Sequence, residues 1–286
     1  MSAAELPDTA LPSPPDWREF ARTGEWRRAL AAARLSGQAE VAGMLEAVCG
    51  VQDHVRARRL ALARRALSGL KTRLEDSPSP GEAARLRGLV DVEGLEAALG
   101  ALESQRQGRE AETDPTALAA QLAPALGHPL TRSEGLNALG VLHALRGEGE
   151  EAREQFGAAL AHDAGHYRAG TNLGNLDLEE GRPAEAEARY REVIRMQPDY
   201  DGAHHNLGVA LRRQGRLGES VASIRRAQRL SLKGSQRESR EEARAGLGRL
   251  GTGRLGTGAA GAGWLRWGLL GGGALLLFGL LRGFGG

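Results

Sequence analysis

Residues 133 to 234 are one 34-residue unit written three times, and copies at a fixed period bury their apolar sides by stacking on one another. With starts at Ser133, Tyr167 and Asp201 the units align without a gap. Leu139, Leu173 and Leu207 fall in register, each followed by a glycine: Gly140, Gly174 and Gly208. A second glycine recurs at Gly147, Gly181 and Gly215. Small residues follow at Ala152, Ala186 and Ser220, and large ones at Phe156, Tyr190 and Ile224. The pattern predicts two amphipathic helices per unit around a glycine turn. The first helices are expected near 133–146, 167–180 and 201–214, and the second near 149–162, 183–196 and 217–231. Pro183 suits a first helical turn and Pro198 a position just past a helix end. Gly140, Gly174 and Gly208 would let the helices of a pair approach closely. Phe156, Tyr190 and Ile224 would fill the space between them.

Composition points the same way. Ala, Leu, Arg, Glu and Gly dominate and β-branched residues are few, so the expected fold class is all-α. Nearly all basic residues are Arg, a skew that suits a GC-rich, bacterial genome better than any binding chemistry. Net charge is +2, but residues 225–266 hold ten Arg or Lys against three acids. That is a local excess of seven beside the C-terminus. Cys49 is the single cysteine, which leaves no disulfide framework or thiolate cluster. It sits in the apolar run Val41, Met44, Leu45, Val48 and reads as a buried thiol. The Pro-rich, acidic start has no apolar run, so no secretory signal is expected.

Residues 1–15 read as a disordered leader. Residues 16–130 read as a helical region with possible degenerate repeats; Gly24-Glu25-Trp26 has the spacing of a worn second half-unit. One long helix or two is expected over 38–75, with Gly50 as the weak point. Leu60, Ala63, Leu67, Leu70 and Leu74 form its apolar stripe. Short helices are expected near 82–89, 92–106 and 115–126. Repeats one, two and three occupy 133–166, 167–200 and 201–234. A basic, then Gly-rich linker is expected over 235–263.

The phases of Gly174, Ala186, Tyr190 and Pro198 resemble the tetratricopeptide repeat family. That resemblance implies a right-handed α-solenoid whose first helices line a groove for a peptide or partner protein. Asp177 and His143 depart from it, standing where the family usually has a large apolar residue, and Leu232 stands where it often has Pro. The candidate groove residues are Asn137, Val141, Asn172, Asn175, His205 and Asn206. Asparagine can hold an extended peptide backbone through both donor and acceptor, or it can brace the repeats themselves. Family members that clamp acidic chaperone tails use Lys or Arg on this face. Of the matching positions only Asn172 is suitable, and the others hold Asn137, Val141, Gly202 and Asn206, so no such clamp is expected. His204-His205 lacks companion ligands, and no metal, cofactor or catalytic constellation is expected.

The tail from Trp264 to Arg282 contains 15 uncharged, mostly apolar residues from Trp267 to Leu281. As a helix this run would span about 22 Å, short of the ~30 Å hydrocarbon core. Arg266 and Arg282 could snorkel, and Trp264 and Trp267 suit the interface. A membrane anchor over 264–282 is the expectation, with the repeats on the cytoplasmic side and possible self-association through Gly268 and Gly272. The expected function is a non-catalytic adaptor tethered to a membrane. Two alternatives stay open: a soluble repeat regulator, and a nucleic-acid binder using Arg56–Arg73 and Arg225–Arg254. The second is the weaker, because no aromatic residue interleaves with those charges.

Overall fold

The computed structural model describes residues 16–107 and 114–250, with the backbone alone over 106–107 and 235–250. The leader, the polar loop after Gly108, the Gly-rich stretch 251–263 and the apolar tail 264–282 lie outside the described residues. Among the described residues every element is a helix and there is no strand. The chain divides into two compact units, residues 1–135 and 136–286.

The first unit contains α1 (Trp17–Arg22), α2 (Trp26–Leu35), α3 (Ala39–Arg56), α4 (Leu60–Glu75), α5 (Pro80–Val90), α6 (Val92–Gln107), α7 (Pro115–Gln121) and α8 (Ala123–Gly127). Asp16 caps α1 by accepting from the Arg18 N–H. Consecutive helices pack from α1 to α4, and α6 packs on both α4 and α8. The stripe Leu60, Ala63, Leu67, Leu70 and Leu74 is buried throughout, as its three-and-four spacing requires. Cys49 is a buried free thiol in α3, and burial pushes its pKa up.

Gly50 does not divide the 38–75 segment. The break falls at Ala57–Arg59, where Arg58 takes a left-handed φ of 54°. Val48, Val51 and Val55 are all buried, so the apolar face of α3 continues past Gly50 and holds the helix together. The Arg59 N–H reaches back to the His54 carbonyl at 2.8 Å, the six-residue closure of a Schellman turn. An arginine in this conformation costs about 1–2 kcal/mol. Its guanidinium has an offsetting partner in Gln105 Oε1 at 2.8 Å, and lies 3.7 Å from the buried Glu134.

That turn is repeated along the chain. The same closure joins Glu25 to Phe20, Gln38 to Ala33, Glu148 to His143, Arg182 to Asp177 and Arg216 to Leu211. Its left-handed residue is Gly24, Gly37, Gly147, Gly181 or Gly215 in these five cases, with φ between 69° and 78°. Gly24 and Arg58 are 34 residues apart, the spacing that also separates Gly147, Gly181 and Gly215.

The array itself comprises α9 (Arg132–Leu145), in which the unit boundary falls, α10 (Gly149–His162), α11 (Tyr167–Glu179), α12 (Pro183–Met196), α13 (Asp201–Arg213) and α14 (Leu217–Leu250). Pro183 is the first residue of α12 and Pro198 follows its C-cap. The helices pack in chain order from α10 to α14, with α11 also touching α13. Phe156 and Tyr190 are fully buried beneath their paired glycines. A Cβ on Gly140 would stand 2.6 Å from Phe156 Cε1, and one on Gly174 2.6 Å from Tyr190 Cε1. At Gly208 it would stand 2.6 Å from Ile224 Cγ1 and 3.0 Å from the Ser220 carbonyl. Leu139, Leu173, Ala152 and Ala186 are buried around these contacts, and Leu207 is half-buried against the second core.

One boundary differs from the sequence reading. The second helix of the third unit was expected to end near 231, with a linker from 235; instead α14 is helical to Leu250. Pro198 closes α12, whereas the equivalent position 34 residues on is Leu232, which can continue a helix.

The glycine–knob contact gives opposite signs for one substitution at two sites. Gly174→Ala should destabilise the array by about 1–3 kcal/mol through overpacking against Tyr190. Gly157→Ala, on the exposed face of α10 with nothing within 4 Å of its Cβ, should stabilise by about 0.5–1 kcal/mol. Denaturant midpoints at unchanged m-value would check both.

Candidate functional site

In the array the first helices are α9, α11 and α13, and the candidate groove residues all lie on them. The structure brings these residues together by bonding them to one another. Asn172 Nδ2 donates to Asn137 Oδ1 at 2.9 Å, joining α11 to α9. Asn206 Nδ2 donates to Asn175 Oδ1 at 2.8 Å, joining α13 to α11. The Tyr190 hydroxyl donates to the same Asn175 oxygen at 2.8 Å, tying in α12. Burial of that hydroxyl raises its pKa, so it stays a donor at any ordinary pH.

The candidates therefore separate. Asn137 and Asn206 are buried, at 0% and 3% exposure, and their amides brace adjacent first helices. Val141, Asn172 and Asn175 are half-buried, and His205 is exposed. Of the two neighbouring histidines, His204 turns its Nε2 to the Pro198 carbonyl at 2.9 Å. Among the described residues no group of three metal-ligating side chains comes together.

Two buried carboxylates, which the groove reading did not include, organise the same helices. Asp177, 1% exposed, stands at a register position suited to an apolar residue. Arg182 Nη2 reaches its Oδ1 at 2.8 Å, Arg189 Nε its Oδ2 at 2.5 Å, and Arg153 Nη1 its Oδ1 at 3.1 Å. Arg153 comes from α10, so this node links the first repeat to the second. Glu180 joins it through Arg153 at 2.8 Å and through Arg182. Burial pushes the Asp177 pKa up, but hydrogen bonds from Arg182 and Arg189 and the charges of Arg189 and Arg153 outweigh it, leaving it below the usual range.

Glu187 repeats the arrangement one helix later. It is buried in α12, with Arg216 Nη1 at 2.7 Å, Arg191 Nη1 at 2.5 Å and Gln214 Nε2 at 2.7 Å. Burial again opposes ionisation, and the bonds from Gln214 and Arg216 again prevail, so its pKa is lowered. Arg216 and Gln214 belong to the turn before α14, so this node links the second repeat to the third. The sequence signal for both is an acid at an inward-facing phase with arginines nearby in the chain or one repeat away.

On the side of the second helices a small cleft of about 150 Å3 opens between α10, α11 and α12. Leu160, Gly170, Val193 and Met196 give it an apolar wall, and Arg189 and Glu192 stand at its edge. Several cations of the Arg-rich stretch of α3 and α4 meet acids. Arg56 lies 3.2 Å from Asp53, Arg64 2.7 Å from Glu103 and Lys71 2.5 Å from Glu96. This removes much of the charge that a nucleic-acid surface there would require.

Residues 171–231, which span most of the second and third units, match the sequence profile described as tetratricopeptide repeat. No curated protein matches the chain. Solved structures similar to it include two of MamA. One is 20% identical, covering 65% of this chain and 96% of MamA at a TM-score of 0.37. The other is 18% identical, covering 68% and 94% at 0.36.

The two nodes predict an acid limb in the stability profile. A carboxylate with a depressed folded pKa contributes stability above its unfolded value, and the contribution fades as pH falls through the folded value. Wild-type stability should therefore drop below about pH 4. Asp177→Asn should cost about 1–3 kcal/mol at neutral pH and flatten that limb. Urea denaturation at stepped pH would check both parts.

Proposed function

We propose that the chain is a non-catalytic docking scaffold that holds a peptide or partner protein against the first helices of its repeats. The observation that carries this reading is the match of residues 171–231 to the tetratricopeptide repeat, a unit that generally mediates protein–protein interaction. The geometry supports it. Glycine–knob contacts, asparagine bridges and buried ion pairs fix the helices, so side chains left on the first-helix face are preorganised for binding. The half-buried Val141, Asn172 and Asn175 and the exposed His205 form the docking face in this proposal. Asn137 and Asn206 hold its floor.

The second part of the proposal is a location. Residues 264–282 tether the protein to a membrane, with the repeats on the cytoplasmic side. The support is sequence chemistry: the apolar run Trp267–Leu281 framed by Arg266 and Arg282, with tryptophans at one end and a basic segment upstream. No helix among the described residues is long and apolar enough to cross a membrane, so this tail is the segment that would have to do so.

Affinity capture from cells, with His205→Glu beside wild type, tests the docking face. The variant should lose a defined set of proteins while its melting temperature stays within a few degrees of wild type. An unchanged set would remove the first-helix face from consideration. Deleting 264–286 should move the protein from the membrane fraction to the soluble one, and a wild-type chain already in the soluble fraction would sink the tether.

A further inference from the structure

The surface of α14 away from the array is sorted by chemistry. Its inward face is Ser220, Ser223, Ala227 and Leu230, all buried against the repeats. Beside that face lies an exposed apolar row. Leu217 is 62% exposed, Val221 47% and Leu232 66%, although large apolar side chains are normally scattered singly when exposed. Leu217 and Val221 are one turn apart. Val221 and Leu232 are eleven residues apart, close to three whole turns, so they share one side, with the exposed Arg225 and Gln228 between them. Along its edge run Arg225, Arg229 and Lys233, each a turn from the last and each exposed. The backbone remains helical to Leu250, and the sequence continues the basic spacing with Arg237, Arg240 and Arg244.

Exposed Leu217, Val221 and Leu232 edged by cations have the chemistry of an interfacial helix. Its apolar side chains enter the boundary between headgroups and acyl chains, while arginine and lysine stems lie along that boundary with their charges on lipid phosphates. Nucleic acid would satisfy the cations and leave the leucines in water. In addition, no aromatic residue occurs between Tyr200 and Trp264 to stack on bases. A 34-residue helix is about 51 Å long, enough to lay several such turns on a flat surface. Only 13 residues, 251–263, separate Leu250 from Trp264, where the tail begins.

We infer that α14 lies on the anionic face of a lipid bilayer through Leu217, Val221 and Leu232 together with Arg225, Arg229 and Lys233. This is a second membrane contact, separate from the tail; it deepens the tether reading and rests on it for the nearby bilayer. The tail would fix the chain to any membrane, whereas α14 would select membranes rich in anionic headgroups and hold the repeat array close to their surface.

A fluorophore sensitive to polarity, attached at Gln228→Cys in a full-length Cys49→Ser chain, separates the two contacts. Gln228 is exposed one turn before Leu232. The vesicles are pure phosphatidylcholine, or phosphatidylcholine with one third phosphatidylglycerol. Flotation with the neutral vesicles reads the tail, and probe emission reads α14. The expected result is a blue shift on anionic vesicles that is absent on neutral ones and weakened by salt. Arg225→Gln, Arg229→Gln and Lys233→Gln together should raise the lipid concentration at half-shift on the order of a hundredfold, with flotation on neutral vesicles unchanged. Leu217→Ser with Val221→Ser should abolish the shift with those charges intact. Equal emission on both vesicle types would overturn the inference, as would a shift that survives the charge variant. A shift produced by duplex DNA and not by lipid would overturn it in favour of nucleic acid. Loss of flotation on neutral vesicles, with the anionic shift retained, would reject the tail and leave the α14 contact standing.

Discussion

A large side chain seated on a missing one sets the geometry of the array. Phe156 on Gly140, Tyr190 on Gly174 and Ile224 on Gly208 are the same contact made three times, with hypothetical Cβ distances of 2.6 Å in each. At that separation a methyl group cannot be added without displacing a ring or a backbone carbonyl. The glycine therefore sets how near the two helices of a pair approach, and the knob sets where along the axis they cross. The small residues Ala152, Ala186 and Ser220 lie four positions before each knob, so the opposed surface is small on both sides. Ser220 also donates to the Gly208 carbonyl at 2.6 Å, adding a hydrogen bond where the knob is aliphatic. Once each pair is fixed, the left-handed turn between its helices is a consequence, and Gly147, Gly181 and Gly215 supply the φ it requires.

Identical contacts make a stack but do not say which unit adjoins which. That information lies in polar groups that differ from unit to unit. Asp177 draws arginines from the first and second repeats, and Glu187 draws its partners from the second and third. The asparagine bridges follow the same two steps, with donors at one phase and acceptors at different phases. Asn137 with Asn172 serves the first, and Asn175 with Asn206 the second. A buried carboxylate without its guanidinium partners would carry the cost of desolvation uncompensated, so a shifted register is penalised more heavily than an apolar contact would allow. Helix spacing and register thus come from different residues.

This division explains what the sequence made legible. The repeat period, the glycine phases, the knobs and the α4 stripe are local regularities, readable because a helix places residues three and four apart on one side. The first-helix asparagines were visible as residues but not as partners. An amide facing a groove and one bonded to the next helix occupy nearly the same helical phase, and only inter-helix distance distinguishes them. Asp177 looked like a defect in its unit, because its arginines are spread over 37 residues of chain, from Arg153 to Arg189. The turn at Arg58 escaped for a related reason: propensity points to Gly50, while tertiary burial of Val48, Val51 and Val55 keeps that part of α3 helical.

The far end of the array follows from the same logic. In the second unit Pro198 stands just past the end of α12. In the third unit that position is Leu232, which can continue a helix, and α14 runs on past the buried Leu230 to Leu250. A second helix in the middle of such a stack is flanked on both sides, as α12 is by α11 and α13. α14 packs on α13, and at positions that a further repeat would cover it carries Leu217, Val221 and Leu232 in the open. Evolution commonly ends a stack with a polar face, because terminal units must remain soluble. Here the terminal helix keeps an apolar row and edges it with cations instead. That combination suits a surface that is greasy beneath and negative above, and it turns the end of a repeat array from a cap into a contact.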